Sequence, residues 1–223
     1  MSIFKPRKIM DQDTIPEHRI NRRADQKLGV VCDKFTELLG EKAVKVRKSM
    51  LRREIQCRNL GYVHTIQMDY SQYENRLWAF LYNLRVRVTY RAASYPGHET
   101  EKCCFRGKMS GKMTVQDVRW IDGGSRCTPE RVEGYLRCLN HALLLDRIKA
   151  LDMRHVEVSY DPEEQMWTVS FTSLIGSSTW IMIPPVMQLI AISSKECAQA
   201  VEFIQMTLHA VTKKAALLFD RTA

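Results

Sequence analysis

Three arginines alternate with apolar residues in the stretch LRVRVTYR, residues 84–91. Successive side chains of an extended strand point to opposite faces, so Arg85, Arg87 and Arg91 are predicted to share one face. A guanidinium group matches the geometry of a phosphate or a carboxylate, and a row of such groups is suited to binding an anionic partner. The simpler alternative is that the row is the solvated side of an amphipathic strand.

Further basic residues follow in CCFRGKM and MTVQDVRWID, which we interpret with LRVRVTYR as an antiparallel meander. The second group of predicted anion-binding residues is Arg106, Lys108 and Lys112. Tyr90 has the opposite parity to the arginines, so their face has no aromatic platform for stacking bases, and no nucleic-acid-binding motif occurs. A nucleic acid backbone and an acidic protein both remain open as partners, because each requires only cations.

No pattern typical of catalysis or of metal binding is present. The chain has no glycine-rich phosphate loop, no nucleophile elbow and no two histidines at metal-ligand spacing. Its seven cysteines are odd in number and scattered, and we interpret them as reduced thiols. A nucleophilic Cys127 and a metal site of Cys103 or Cys104 with His98 and Cys127 are weaker hypotheses. We therefore predict no catalytic residue, no metal and no cofactor.

The segment SLIGSSTWIMIPP is the one place where the sequence hints at a pocket. Small polar residues lead to Trp180 and then to Pro184 and Pro185, which force an extended chain that donates no ladder hydrogen bonds. An enzyme or small-ligand binder with a pocket near residues 177–185 is the alternative function. An ordinary strand ending explains the same pattern.

The periodicities predict an α+β fold with one mostly antiparallel sheet and three main helices, in the order α–strands–α–strands–α, with the helices packed on one face. Apolar residues at helical spacing predict the first helix from Pro16 to Gly40, and Thr128-Pro129-Glu130 predicts the start of a second that reaches about Ala150. HVEVSY and MWTVSF predict a hairpin, and TWIMI predicts a third strand.

Two segments are ambiguous. Residues 42–58 support neither period cleanly, and only their later part is interpreted as a strand. The pattern Ser71-Gln72-Tyr73-Glu74 fits a capping box that opens a short helix, but a continuous buried strand fits equally well.

The last helix carries its own start signal and an apolar seam. Ser193-Ser194-Lys195-Glu196 fits a capping box, and the residues after it step four and three as in a coiled coil. A homodimer through this helix is one hypothesis, with the predicted interface Val201, Ile204, Leu208 and Val211. A helix that lays the same stripe on the sheet is the other.

Charge is distributed unevenly along the chain, which carries a net charge of +9. Residues 1–126 hold 25 Lys and Arg against 14 Asp and Glu, whereas residues 127–223 hold 9 against 11. We predict a loose lead-in at 1–16 and a single domain at 17–223, with a possible division near 126/127. With no apolar leader or membrane span, we predict a cytoplasmic location.

The leading functional hypothesis is a non-enzymatic binding module that contacts an anionic partner through its basic N-terminal two-thirds. A further hypothesis is a chaperone-like or homodimeric protein-interaction domain. The order of elements resembles that of small chaperone-like α+β domains, although those tend to be acidic and a shared fold does not establish a shared function.

Overall fold

The computed structural model describes residues 19–76, 79–91, 101–111, 114–181 and 186–219, so the lead-in predicted at 1–16 lies outside the described residues. The helices are α1 (Arg19–Leu39), α2 (Pro129–Leu139), α3 (Ala142–Ala150) and α4 (Ser194–Phe219), and a 3-10 turn (Gly40–Lys42) follows α1. The strands are β1 (Ala43–Ser49), β2 (Arg52–Leu60), β3 (Val63–Arg76), β4 (Ala79–Arg91), β5 (Cys103–Ser110), β6 (Asp117–Asp122), β7 (Met153–Asp161), β8 (Met166–Ile181) and β9 (Val186–Leu189).

The strands form one open sheet in the order β1-β2-β3-β4-β8-β7-β5-β6, with β9 paired to the end of β8. Each pair is antiparallel, which confirms the predicted α+β class and its antiparallel sheet. Strands from both sides of residue 126 belong to this sheet. Among the described residues, no helix is long and apolar enough to span a membrane.

The second predicted helix is in fact two helices, and Asn140 marks the break between them. Its side-chain amide accepts a hydrogen bond from the backbone N–H of Trp120 (2.8 Å) and donates to the carbonyl oxygens of Trp120 (3.1 Å) and Leu136 (2.9 Å). The amide thereby pairs with the outer edge of β6, so the chain turns here. The helix begins at Pro129 as expected, but the Thr128 side chain makes no capping hydrogen bond.

Several predicted strands differ from the structure. Residues 42–58 supply both β1 and β2, and the pattern at 71–74 continues as strand β3, so the continuous-strand interpretation of that segment is the correct one. The described part of TWIMI, residues 179–181, is the end of the 16-residue β8 and not a separate strand. The predicted meander is wrong between β4 and β5, because β8 and β7 lie between them, although β5 and β6 do form a hairpin.

The core lies against one face of this sheet. Phe203 of α4 packs edge-on against Phe171 of β8, with ring centroids 5.8 Å apart. Tyr135 of α2 lies 5.4 Å from Phe105 of β5 and 5.7 Å from Trp167 of β8. These five aromatic side chains are all buried, so they pack α2 and α4 against the sheet.

A buried ion pair attaches α1 to the β1–β2 hairpin. Arg53 Nη2 lies 2.7 Å from Asp25 Oδ2, and the two side chains are only 8% and 10% exposed. The other oxygen of Asp25 accepts the backbone N–H of Leu51 at 2.9 Å, in a turn where Leu51 has φ +60°. Arg53 also donates to the carbonyl oxygen of Ser49 at 3.1 Å. The pair is therefore surrounded by hydrogen bonds as well as buried.

Strand β8 changes register midway, at a bulge built from glycine and serine. The β4 ladder is interrupted between Tyr82 and Leu84. At the interruption, Ser177 Oγ accepts the backbone N–H of Leu84 (2.8 Å) and donates to the carbonyl oxygen of Ser173 (2.6 Å). Gly176 has φ +82°, and its carbonyl accepts the Tyr70 hydroxyl at 2.6 Å. The bulge thus satisfies backbone groups that the ladder leaves open.

Gly176→Ala is expected to lower the free energy of unfolding by about 1–3 kcal/mol, since alanine is strained at positive φ. The new Cβ would also lie 2.8 Å from Leu84 Cδ2. Gly29→Ala is the matched control, because Gly29 lies inside α1 with nothing within 4 Å of a Cβ, and alanine there is expected to stabilise the protein. Urea denaturation measures both variants. Equal stability of the two would contradict the strained geometry at Gly176.

Candidate anion-binding surface

The arginines of β4 lie on the face of the sheet opposite the core, here called the polar face. Leu84, Val86 and Val88 are buried, whereas Arg87 is exposed. Arg91 is exposed as well, and the Arg85 side chain is 36% exposed. The alternation predicted from the sequence therefore places the arginine row on the surface, uncovered by α1.

Cross-strand register joins the two predicted groups of cations on the polar face. Arg87 pairs with Ser170 of β8, Ser170 pairs with Glu157 of β7, and Glu157 pairs with Arg106 of β5. Residues paired in this way point to the same side, so Arg106 shares the face of Arg87 at three strand spacings, or about 14 Å. Lys108, two residues after Arg106, pairs with Arg119 of β6. Lys112 lies outside the described residues.

Two of the predicted cations are neutralised by neighbouring carboxylates. Arg85 Nε donates to Asp69 Oδ1 at 2.8 Å and lies 3.1 Å from Oδ2. Arg106 Nε donates to Glu157 Oε2 at 2.8 Å. An ionised partner at this distance satisfies most of the demand of a guanidinium group for an anion. Arg85 and Arg106 are thus poorer candidates for an external ligand than their position alone suggested.

Several other cations of the polar face are exposed and form no ion pair with any residue that the structure describes. They include Arg52, which pairs across the strands with Asp69, and also Arg87, Arg91, Lys108 and Arg119. Half-buried Gln67, Thr89, Thr168 and Ser170 lie beside or between the cation-bearing positions of the central strands and add hydrogen-bonding groups. No Trp, Tyr or Phe occupies a described position of this face, so the described part of it offers charged and hydrogen-bonding groups but no aromatic stacking platform.

Sequence reasoning did not select Arg119, although a local signal for it exists. Val118 and Trp120 on either side of it are buried, and the alternation in DVRWID is the same as in LRVRVTYR. A search of every predicted strand for a cation between two apolar residues would have found Arg119.

The four residues of the predicted homodimer interface are buried within the single chain. Ile204, Leu208 and Val211 have no exposed surface, and Val201 is 8% exposed. They belong to the hydrophobic core, as expected for a helix that lays its apolar stripe on the sheet. The predicted capping box is present, because Ser193 Oγ accepts the N–H of Glu196 (3.2 Å) and the Glu196 carboxylate accepts the N–H of Ser193 (2.6 Å).

In the described part of the segment 177–185, Ser177 and Ser178 have intramolecular partners. Ser177 belongs to the bulge of β8, and Ser178 Oγ lies 3.1 Å from the Tyr70 hydroxyl. Residues 182–185 lie outside the described residues. Elsewhere, the described residues contain no group of three or more His, Cys, Asp or Glu side chains suited to a metal ion.

A cleft of about 340 Å³ lies at the start of α2, between that helix and the end of β6. It is lined by Asp122, Ser125, Cys127, Pro129, Val132, Glu133 and Leu136. Partial burial alone would raise the pKa of Asp122, but hydrogen bonds from the backbone N–H groups of Ser125 and Gly124 lower it below its usual value. The cleft therefore has an ionised carboxylate and a cysteine in its wall.

These features define an α+β protein with one large antiparallel sheet, a cationic polar face and a small cleft at one end. Residues 47–211 match the model of a family described as "Protein of unknown function (DUF3156)", and the chain belongs to that family. The match includes β2 to β9 and α2, α3 and most of α4. No curated protein and no solved structure matches the chain.

Proposed function

We propose that the protein is a non-enzymatic binding module that contacts an anionic macromolecule through the polar face of its sheet. The observation that carries the proposal is the set of exposed cations on the described part of this face, among them Arg87, Arg91, Lys108 and Arg119, which form no ion pair with a described carboxylate. The buried side chains of β4 lie on the opposite face, which supports a polar face that is open to a partner. A broad sheet surface of this kind has the extent that a macromolecular interface requires.

An acidic protein is favoured over a nucleic acid as the partner. Asp69 and Glu157 already neutralise Arg85 and Arg106, so the face carries charges of both signs. Surfaces that bind nucleic acid are more uniformly positive, and sheets that bind single strands usually add aromatic side chains on which bases stack. A mixed surface rich in Ser, Thr and Gln can instead pair its unmatched cations with carboxylates and its hydroxyl groups with polar side chains.

Fluorescence anisotropy tests the proposal with a labelled polyglutamate peptide, a labelled single-stranded DNA and a labelled duplex. We expect the peptide to bind the purified protein at about 50 mM salt and to bind at least tenfold more weakly at about 200 mM, because salt screens exposed charges. Arg87→Ala/Arg91→Ala is expected to weaken binding roughly tenfold, at up to about 1 kcal/mol for each exposed ion pair.

The matched control, Arg137→Ala/Lys195→Ala, removes two exposed cations from helices α2 and α4 and is expected to change the affinity less than twofold. An equal loss in the control would show that net charge, and not the polar face, governs binding. If DNA binds more tightly than the peptide, and the Arg87→Ala/Arg91→Ala variant loses this binding, nucleic acid is the partner. If none of the three probes binds at low salt, the proposal is wrong.

A further inference from the structure

Two thiols meet at the cleft beside α2 and form a pair that the polar face does not involve. Cys103 Sγ lies 3.2 Å from Cys127 Sγ, and both cysteines are reduced. Cys103 is fully buried at the start of β5, whereas Cys127 is half-buried and lines the cleft. Cys127 is therefore the more accessible residue of the pair, and Cys103 is its buried neighbour.

Hydrogen bonds on both sides of Cys103 hold the pair in register. The backbone N–H of Arg126 donates to the carbonyl oxygen of Lys102 at 2.8 Å. Ser125 Oγ accepts the N–H of Cys104 (2.9 Å) and donates to the carbonyl oxygen of the same residue (3.0 Å). The segment that carries Cys127 is thus fastened along β5, which keeps the two cysteines next to each other.

We propose that Cys103 and Cys127 form a reversible intramolecular disulfide through exchange with a small disulfide molecule that enters the cleft. A disulfide bond is about 2.05 Å long, so the sulfurs need to approach by only about 1.2 Å, which small rotations about the side-chain bonds provide. The cleft volume of about 340 Å³ is large enough for a small aliphatic disulfide.

The exchange proceeds in two steps that balance. The Cys127 thiolate attacks one sulfur of the small disulfide, forms a mixed disulfide and releases one thiolate. The Cys103 thiolate then attacks Cys127 Sγ, the internal disulfide forms, and the second thiolate leaves. The two protons lost by the cysteines are taken up by the two released thiolates, so the protein loses two electrons and the small disulfide gains them.

The wall of the cleft favours a positively charged reagent. Asp122 and Glu133 both line it, and the hydrogen bonds to Asp122 keep that carboxylate ionised. Glu133 forms an exposed ion pair with Arg137 at 3.1 Å, so Asp122 contributes most of the preference and Glu133 a smaller part. Cystamine, a small cationic disulfide, is therefore expected to react faster than oxidised glutathione, which is anionic.

Asp122→Asn is unsuitable for testing this preference because it alters the loop that positions Cys127. Glu133→Gln on the exposed surface of α2 is the better variant, and it should reduce the ratio of the two rates.

The experiment treats the reduced full-length protein with cystamine and maps disulfides by mass spectrometry of unreduced peptides. We expect a Cys103–Cys127 link that dithiothreitol reverses, and a melting temperature roughly 5 °C higher in the oxidised protein, because the link closes a loop in the unfolded chain. Cys103→Ser is expected to accumulate the mixed disulfide at Cys127, since the resolving thiol is missing.

Four of the five remaining cysteines are internal controls. Burial raises the pKa of Cys32 to about 12 and the pKa values of Cys57 and Cys197 to about 11, so these thiols are expected to stay unmodified. Cys138, half-buried on α2, provides a comparison of similar exposure. Modification of Cys127 no faster than of Cys138 would overturn the proposal. A peptide map of the wild-type protein without the Cys103–Cys127 link would overturn it as well.

Discussion

Replacing Asp25 with alanine is expected to lower the free energy of unfolding by about 3–5 kcal/mol, the largest loss from a single ion pair in the described structure. The substitution would leave the guanidinium group of Arg53 buried at 8% exposure without its carboxylate. It would also remove the acceptor of the Leu51 N–H, in a turn that already has a positive φ. Guanidinium denaturation monitored by circular dichroism measures the effect.

Asp33→Ala is the matched control for Asp25→Ala. Asp33 lies on the same helix and also pairs with the β1–β2 hairpin, through Lys45, but these side chains are 61% and 39% exposed. An exposed pair contributes at most about 1 kcal/mol, so the control should remain close to the wild type. Asp25→Asn keeps an oxygen that can accept the Leu51 N–H, so its free energy of unfolding should lie between those of the Asp25→Ala and Asp33→Ala variants. Similar stability of the Asp25 and Asp33 alanine variants would show that the buried pair does not fasten α1 to the sheet.

Leu208→Ala is expected to lower the free energy of unfolding by about 2–5 kcal/mol, and this loss should not depend on protein concentration. Leu208 has no exposed surface in the single chain, and it lies in the stripe of α4 that faces the core. Truncation therefore leaves a cavity inside the monomer. Urea denaturation at two protein concentrations about fiftyfold apart measures both the size of the loss and its concentration dependence.

Met206→Ala is the control for Leu208→Ala, because Met206 is half-buried on the same helix and has a similar intrinsic helix propensity. Met206→Ala should lower the free energy of unfolding clearly less than Leu208→Ala does. A midpoint that rises with protein concentration in the wild type and loses this dependence in Leu208→Ala would favour the homodimer hypothesis. In that case, the stripe of α4 would stabilise an assembly and not only the interior of one chain.

The tests of the polar face and of the thiol pair can be interpreted separately. Arg87 and Arg91 lie on β4, whereas Cys127 lies two residues before α2, and no described contact joins either arginine to Cys127. The arginine variants should therefore retain the cystamine reaction, and Cys103→Ser should retain binding of the acidic peptide. Loss of both properties in one variant would indicate a folding defect, which circular dichroism detects.

Local patterns in the sequence were sufficient to predict how individual elements distribute their side chains. The alternation in LRVRVTYR placed Val86 and Val88 in the core and Arg87 on the surface, as the structure shows. The capping box at Ser193 correctly marked the start of α4. Such features depend on residues only a few positions apart, and strand and helix periods translate them directly into faces.

The same local reasoning was ambiguous where two periods competed. At Ser71 to Glu74 the capping-box pattern favoured a helix, but the segment is the continuation of β3 paired with β4. Pairing with a neighbouring strand satisfies more backbone groups than a short helix would, so the tertiary context decides the outcome. The split between α2 and α3 has a similar cause, because the Asn140 amide pairs with the distant Trp120.

The sequence by itself determined the fold class, the faces of its clearest strands and helices, and the excess of cations in residues 1–126. Only the tertiary structure decided that β8 and β7 separate β4 from β5, that Asp69 neutralises Arg85, and that Cys103 meets Cys127. Each of these contacts joins residues 16 or more positions apart. Local periodicity carries no information on such pairs, because strand order follows from the packing of the whole core.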